Sequence, residues 1–176
     1  MGDQPPDRDR DKKRFHGGHI NGLHIIRLDP GQHIEVIRAL FVEYAESLDF
    51  DLEFQNFREE LVDLPGEYAP PAGCLLLALI GDAPAGCVGL RKLDDDVCEM
   101  KRLYVRPKYR AQGIGRVLAE SVAREARNKG YGKMRLDTVP SMRAARKLYA
   151  SMGFREVKPY RYNPIDGATF MEKKLG

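Results

Sequence analysis

Between a strand-like run and a long amphipathic segment the chain reads Arg110-Ala-Gln-Gly113-Ile-Gly115. Glycines two residues apart let successive backbone N–H groups crowd toward one point, and a helix that begins there adds the partial positive charge of its N-terminus. Such a loop makes an anion site shaped for a pyrophosphate, although the same letters also serve as a plain turn ahead of a helix. Two other phosphate-binding patterns fail here. No Lys-Ser or Lys-Thr follows the glycines, as nucleotide hydrolases require. Arg116-Val-Leu118 supplies neither the third glycine nor the alanine of a dinucleotide fingerprint.

Other chemistry-bearing residues point nowhere as definite. Cys74, Cys87 and Cys98 sit in apolar runs, without zinc-site spacing and without the even count of a disulfide scaffold. They read as buried free thiols in a reducing compartment rather than nucleophiles, because no activating base stands beside them. His16 and His19, flanked by glycines in a polar segment, are too loosely held to predict a metal, and no metal is expected.

The 176 residues, 43% of them hydrophobic, fit a single domain. With 29 Lys and Arg against 26 Asp and Glu, the net charge of +3 is too balanced to predict nucleic-acid binding, and the cations of residues 114–130 read as a solubilising face. The longest apolar run, residues 73–80, is far shorter than the roughly 20 residues that cross a bilayer, and no signal-like segment opens the chain. A soluble, cytoplasmic protein is expected, with no membrane partner.

The elements that must position the loop follow from periodicity. Residues 1–22 mix Pro, Gly and charges of both signs and are expected to form a disordered tail ahead of a domain over 23–176. Residues 23–28 read as a strand. Pro30 then opens a helix in which Ile34, Ile37, Leu40, Phe41 and Tyr44 share a face, and a weaker helix is expected over 54–61. Residues 74–80 and 86–93 are strands joined by the turn-rich residues 81–85, expected to pair antiparallel. Residues 97–105 are a further strand, and the adjacent Lys101 and Arg102 break its alternation as a β-bulge would.

Next come a helix over 114–129, with Ile114, Val117, Leu118, Val122 and Ala126 as its apolar stripe and Gly130 ending it, and a strand over 133–139. Ser141 is placed to cap a helix carrying Ala144, Ala145, Leu148, Tyr149 and Met152, which ends at Gly153, and a last strand spans 169–175. This order implies an α/β (α+β) domain with a mixed sheet covered by helices.

Glu99-Met-Lys-Arg-Leu-Tyr-Val105-Arg-Pro107-Lys-Tyr-Arg110-Ala-Gln-Gly113-Ile-Gly115, followed by Ala144-Ala-Arg-Lys-Leu-Tyr149-Ala-Ser-Met-Gly153-Phe154, closely resembles the GNAT family of acetyl-CoA-dependent N-acyltransferases. The resemblance spans about half the chain. It implies a mostly antiparallel central sheet whose fourth and fifth strands splay to admit the pantetheine arm. By the same resemblance, the backbone amides of Arg110, Ala111, Gln112, Gly113, Ile114 and Gly115 hold the pyrophosphate of acetyl-CoA, with Arg116 close behind. Leu103, Tyr104 and Val105 pair with the pantetheine, and Ser141, where the family usually has Asn, and Ala144 line the cofactor arm.

Glu99 is implied as the base that takes a proton from an attacking amine, and Tyr149 as the acid that protonates the departing thiolate. Glu99 reads alternatively as a strand charge paired with Lys101 or Lys133, and Tyr149 as a core aromatic. The acceptor is expected to be a small amine or amino-acid-like molecule rather than a protein N-terminus. Tyr44, Glu46, Asp49, Asp51 and Glu53 offer negative charge to an amine, and Arg161 in the loop from Tyr160 to Gly167 offers a grip on a carboxylate. A coenzyme A-binding sensor without turnover is the alternative from another class, and the resemblance also allows a homodimer.

Overall fold

The computed structural model describes residues 20–29 and 31–176. The expected tail therefore lies outside the described residues up to His19, together with the His16 and His19 pair, and so does Pro30. Residues 20–22 form a turn in which the Leu23 amide donates to the Ile20 carbonyl at 3.1 Å.

A seven-stranded sheet runs in the order β1-β2-β3-β4-β5-β7-β6, from β1 (Leu23–Arg27), β2 (Cys74–Ile80), β3 (Ala83–Lys92), β4 (Val97–Val105), β5 (Lys133–Thr138), β6 (Arg155–Val157) and β7 (Thr169–Lys174). Only the β4–β5 pair is parallel; its neighbours are antiparallel. The helices are α1 (Ile34–Glu46), α2 (Phe57–Asp63), α3 (Ile114–Asn128) and α4 (Arg143–Ser151). This is the mixed, mostly antiparallel architecture expected.

Strand alternation sends two sets of side chains to two cores. On β2, Cys74, Leu76 and Ala78 meet Ile114, Leu118 and Val122 of α3, while Leu75 and Leu77 meet Ile37, Leu40 and Phe41 of α1 and Phe57 of α2. A strand buried on both faces reads as a continuous apolar run, which residues 74–80 are. Each fully buried Leu, Ile or Phe contributes about 1.5–3 kcal/mol, so both helical layers are anchored from the middle of the sheet. All three cysteines are free and buried. Burial pushes the Cys74 and Cys98 thiols up to about 12, leaving them uncharged and unreactive.

The bulge lies where the alternation broke. The β3–β4 register shifts between Cys87 and Gly89, and Arg102 takes a left-handed φ of 57°. Gly86 allows the closest approach near it, because a Cβ there would sit 2.3 Å from the Tyr104 carbonyl oxygen.

Several local expectations are corrected. The β2–β3 turn is only Gly81 and Asp82, since β3 begins at Ala83; Pro84 is tolerated because it lies beyond the end of β4 and pairs only with β2, next to a register shift at Ala78 and Leu79. The second helix starts at Phe57, not at residue 54, because Asn56 adopts a left-handed conformation after a short turn over Glu53–Gln55. Ser141 does not cap α4: Met142 is the N-cap, and the Ser141 hydroxyl lies 3.3 Å from Asp49 Oδ1. β6 went unread because it is three residues long with exposed Arg155 and Glu156, and it pairs only with β7.

Candidate active site

The site grows out of the parting of β4 and β5. They pair only from Val97 with Lys133 to Glu99 with Arg135, and Leu103, Tyr104 and Val105 continue without a β5 partner. α3 points its N-terminus at this opening. Gly113 caps it at φ 85°, a conformation that costs a glycine little, and Ala111 before it stands at φ 60°. The Arg110 amide is tied to the Pro107 carbonyl at 3.2 Å. The amides of residues 111–116 donate to no backbone carbonyl among the described residues, which leaves a run of free donors at a helix N-terminus. The Arg110 side chain braces the loop, donating to the Val105 carbonyl at 2.9 Å and lying over the Tyr104 ring.

A cleft of about 580 Å³ runs from this loop into the sheet. Leu103, Tyr104, Val105, Arg110, Ala111, Gly113, Ile114 and Gly115 form one wall, and Ser141 and Ala144 stand on the other. Gln112 and Arg116 do not line it. The Gln112 side chain turns back toward the Lys108 carbonyl, and Arg116 donates to Ser151 Oγ at 2.6 Å and pairs with Glu120.

At its inner end the cleft shares Tyr44, Leu103, Met142 and Ala145 with a small chamber of about 50 Å³. Tyr149, Lys101 and Asp137 also line the chamber. Burial, helped by Tyr44 and Asp137, pushes the Tyr149 hydroxyl above its ordinary range, so it stays protonated and remains a donor. Beyond the chamber, Phe54 and Gln55 also border a third cavity of about 540 Å³, whose walls include Glu59, Asp63, Arg91, Arg161 and Tyr162. The line from cleft to far cavity thus runs by shared wall residues through the chamber.

Glu99 lies beside this line without opening onto it. It is fully buried, and its carboxylate accepts three hydrogen bonds. Oε2 accepts from Arg91 Nε at 2.8 Å and Arg161 Nη1 at 3.0 Å; Oε1 accepts from the Tyr160 hydroxyl at 2.9 Å and forms an ion pair with Arg161 Nη2 at 2.5 Å. Arg161 Nη2 also donates to Asp137 Oδ1 at 2.6 Å, and Asn163 Nδ2 to Asp137 Oδ2 at 3.0 Å. Burial works to raise the Asp137 carboxyl, but Lys101 and Arg161 outweigh it and hold it below its ordinary value. Among the described residues Glu99 pairs with neither Lys101 nor Lys133; Lys101 donates to Gln55 Oε1 at 2.9 Å and stands 3.9 Å from Asp137 Oδ1.

The acidic residues expected near the first helix do not act together. Tyr44 and Asp49 line the cleft, while Asp51 accepts from the Glu53 amide and Glu53 pairs with Arg58. Sequence reasoning missed Asp137 and Gln55. The single aspartate in the alternating strand Lys133–Thr138 was the available signal for the first; nothing local marked the second.

A model described as the acetyltransferase (GNAT) family matches residues 34–154. An uncharacterized N-acetyltransferase of Schizosaccharomyces pombe is 36% identical over 82% of this chain and 90% of its own length. Among solved structures, an acetyltransferase of Streptococcus agalactiae superposes with a TM-score of 0.72 at 20% identity, over 88% of this chain and 99% of that one. An acetyltransferase of Salmonella typhimurium, solved with its cofactor acetyl-CoA, gives 0.64 at 20% identity over 89% and 95%. At these identities the two structures establish the shared fold.

Proposed function

The chain belongs to the GNAT family of acetyltransferases, and from that membership we propose that it transfers the acetyl group of acetyl-CoA to the primary amine of a small, amino-acid-like molecule, by direct attack in a ternary complex. The observation that carries this reading is the free run of amides at residues 111–116, set at the mouth of a cleft that leads to Tyr149.

In this reading the amides of Ala111, Gln112, Gly113, Ile114, Gly115 and Arg116 donate to the pyrophosphate. The unpaired reach of β4 at Leu103, Tyr104 and Val105 supplies backbone partners for the pantetheine arm, opposite Ser141 and Ala144. A main-chain N–H of the bulge stabilises the charge that develops on the thioester oxygen. The Tyr149 hydroxyl donates a proton to the departing sulfur. With three hydrogen bonds and an ion pair already on its oxygens, Glu99 is assigned a positioning part: it holds Arg161, and through Arg161 it holds Asp137 at the chamber wall.

The far cavity supports a small acceptor carrying an amine. Glu59 and Asp63 line it and have no ion-pair partner among the described residues, so they draw a cation. Arg161 Nε is buried without a hydrogen-bond partner and offers a donor to a carboxylate on the same molecule. Three unpaired, buried thiols support a reducing compartment, the cytoplasm. Among the described residues no helix is long and apolar enough to cross a membrane.

The test is to mix the purified protein with acetyl-CoA and a pool of amines and amino acids, reading the products by mass spectrometry and the released thiol by colorimetry. An acetylated amine in step with thiol release is expected. A thermal shift with acetyl-CoA but no thiol release across the pool would leave a coenzyme A-binding module in its place.

A further inference from the structure

The chamber between the cleft and the far cavity contains a side chain that acetyl transfer to an outside amine does not use. Lys101 lies on β4 beside the bulge, its side chain only 4% exposed. Its Nζ donates to Gln55 Oε1 at 2.9 Å and stands 3.9 Å from Asp137 Oδ1. The chamber's roughly 50 Å³ exceeds several-fold the ~10–15 Å³ that admits one water, which is room for a group the size of an acetyl. Its walls are shared with the cleft on one side and, through Phe54 and Gln55, with the far cavity on the other, so Lys101 lines the space that adjoins both.

We propose that Lys101 is itself an acetyl acceptor, taking the acetyl group from bound acetyl-CoA when no other amine occupies the site. The proposal rests on the acetyl-CoA reading above. The charge environment favours it. Burial pushes the ammonium down to about 7, with Arg102 on the same strand adding to that push and Arg161 from the loop after β6 contributing less. Glu99 and Asp137 act in the opposite sense and are outweighed. Of the remaining groups nearby, Glu60 of α2 is spent on Arg102 at 2.6 Å, and Tyr44 of α1 and Tyr149 of α4 present uncharged hydroxyls. A lysine held this way is about half unprotonated near neutral pH, and that fraction carries a free electron pair.

The step balances without an added reagent. The Nζ–carbon bond forms, the carbon–sulfur bond breaks, and the proton lost from nitrogen ends on the departing sulfur, giving an amide and the free thiol of coenzyme A. The product has no charge, occupies the chamber and prevents a second acetyl group from entering. One acetyl per chain is therefore the limit for this site.

The test uses the full chain with acetyl-CoA and no amine, at intervals from about pH 6 to about pH 9, followed by intact mass and peptide mapping. The exposed Lys108 is the internal comparison. One acetyl group is expected at Lys101, forming about tenfold faster or more than at Lys108 at neutral pH, because an ordinary lysine is almost fully protonated there. The Lys101 rate should climb through about pH 7 and then level. Excess coenzyme A should suppress the reaction, and Lys101→Arg should remove it while keeping the thermal shift that acetyl-CoA gives. A chain whose melting temperature rises with acetyl-CoA but whose Lys101 stays unmodified overturns the proposal. Modification that excess coenzyme A does not slow also overturns it, since it would be solution chemistry. Absence of any thermal shift would remove the acetyl-CoA reading, and this proposal with it.

Discussion

The cleft and the ionic cluster behind the chamber begin a few residues apart on β4, yet they are built of different material. The cleft is main chain: the free amides of residues 111–116 and the unpaired reach of Leu103, Tyr104 and Val105. The cluster is side chain: Arg91 from β3, Glu99 from β4, Asp137 from β5, and Tyr160 and Arg161 from the loop before β7, joined by bonds of 2.5–3.0 Å. A main-chain site depends on local conformation and fails when a backbone dihedral fails. A side-chain site depends on many distant segments arriving together, and it fails when one charge is left without its partner.

The largest expected effect breaks the first kind. Gly113→Val puts a β-branched residue at φ 85°, which turns the donors away. The stabilisation that acetyl-CoA gives, about 2.7 kcal/mol at a hundred times its Kd, should vanish from melting curves, in addition to a fall in the unliganded melting temperature from the strain at that one residue. Next is Tyr149→Phe. It should lower the turnover of acetyl transfer about 10²–10⁴-fold in a thiol-release assay and leave the acetyl-CoA thermal shift intact.

Glu99→Gln sharpens the contrast from the other side. Removing a buried charge leaves Arg91 with the exposed Glu67 and Arg161 with Asp137 as their remaining partners, so stability should fall by up to about 3–5 kcal/mol in denaturant titrations, with cofactor affinity in the folded fraction nearly unchanged.

The effect of Lys101→Met has a pH signature. The folded-state value near 7 lies below that of a free lysine, so between about pH 7 and about pH 10 the unfolded chain binds the extra proton and wild-type stability rises with pH. The penalty is complete below that window and absent above it. Melting temperatures of Lys101→Met should exceed wild type by most near pH 6, and the gap should close toward pH 10.

The same division explains what was legible beforehand. The glycine loop, the bulge at Lys101 and Arg102 and the buried run Cys74–Ile80 are each written in consecutive residues, and each is present. The partners of Glu99 are not consecutive. Arg91, Tyr160 and Arg161 stand 8, 61 and 62 residues away in sequence, so nothing around Glu99 revealed that both its oxygens were taken. Gln55 escaped for the same reason, lying 46 residues from the Lys101 amine it accepts from. Ser141 looked like a cap because serine suits that position, but its hydroxyl faces Asp49, which only the packing of α1 against the cleft brings near.

The central claim is that the free amides ahead of α3 hold the diphosphate of the cosubstrate. Backbone ¹H–¹⁵N spectra recorded during titration with coenzyme A test it most directly. The account predicts that the largest saturable shifts fall on Ala111 through Arg116, with a second group at Leu103 to Val105. Saturable binding that leaves the signals of residues 111–116 unmoved would contradict it.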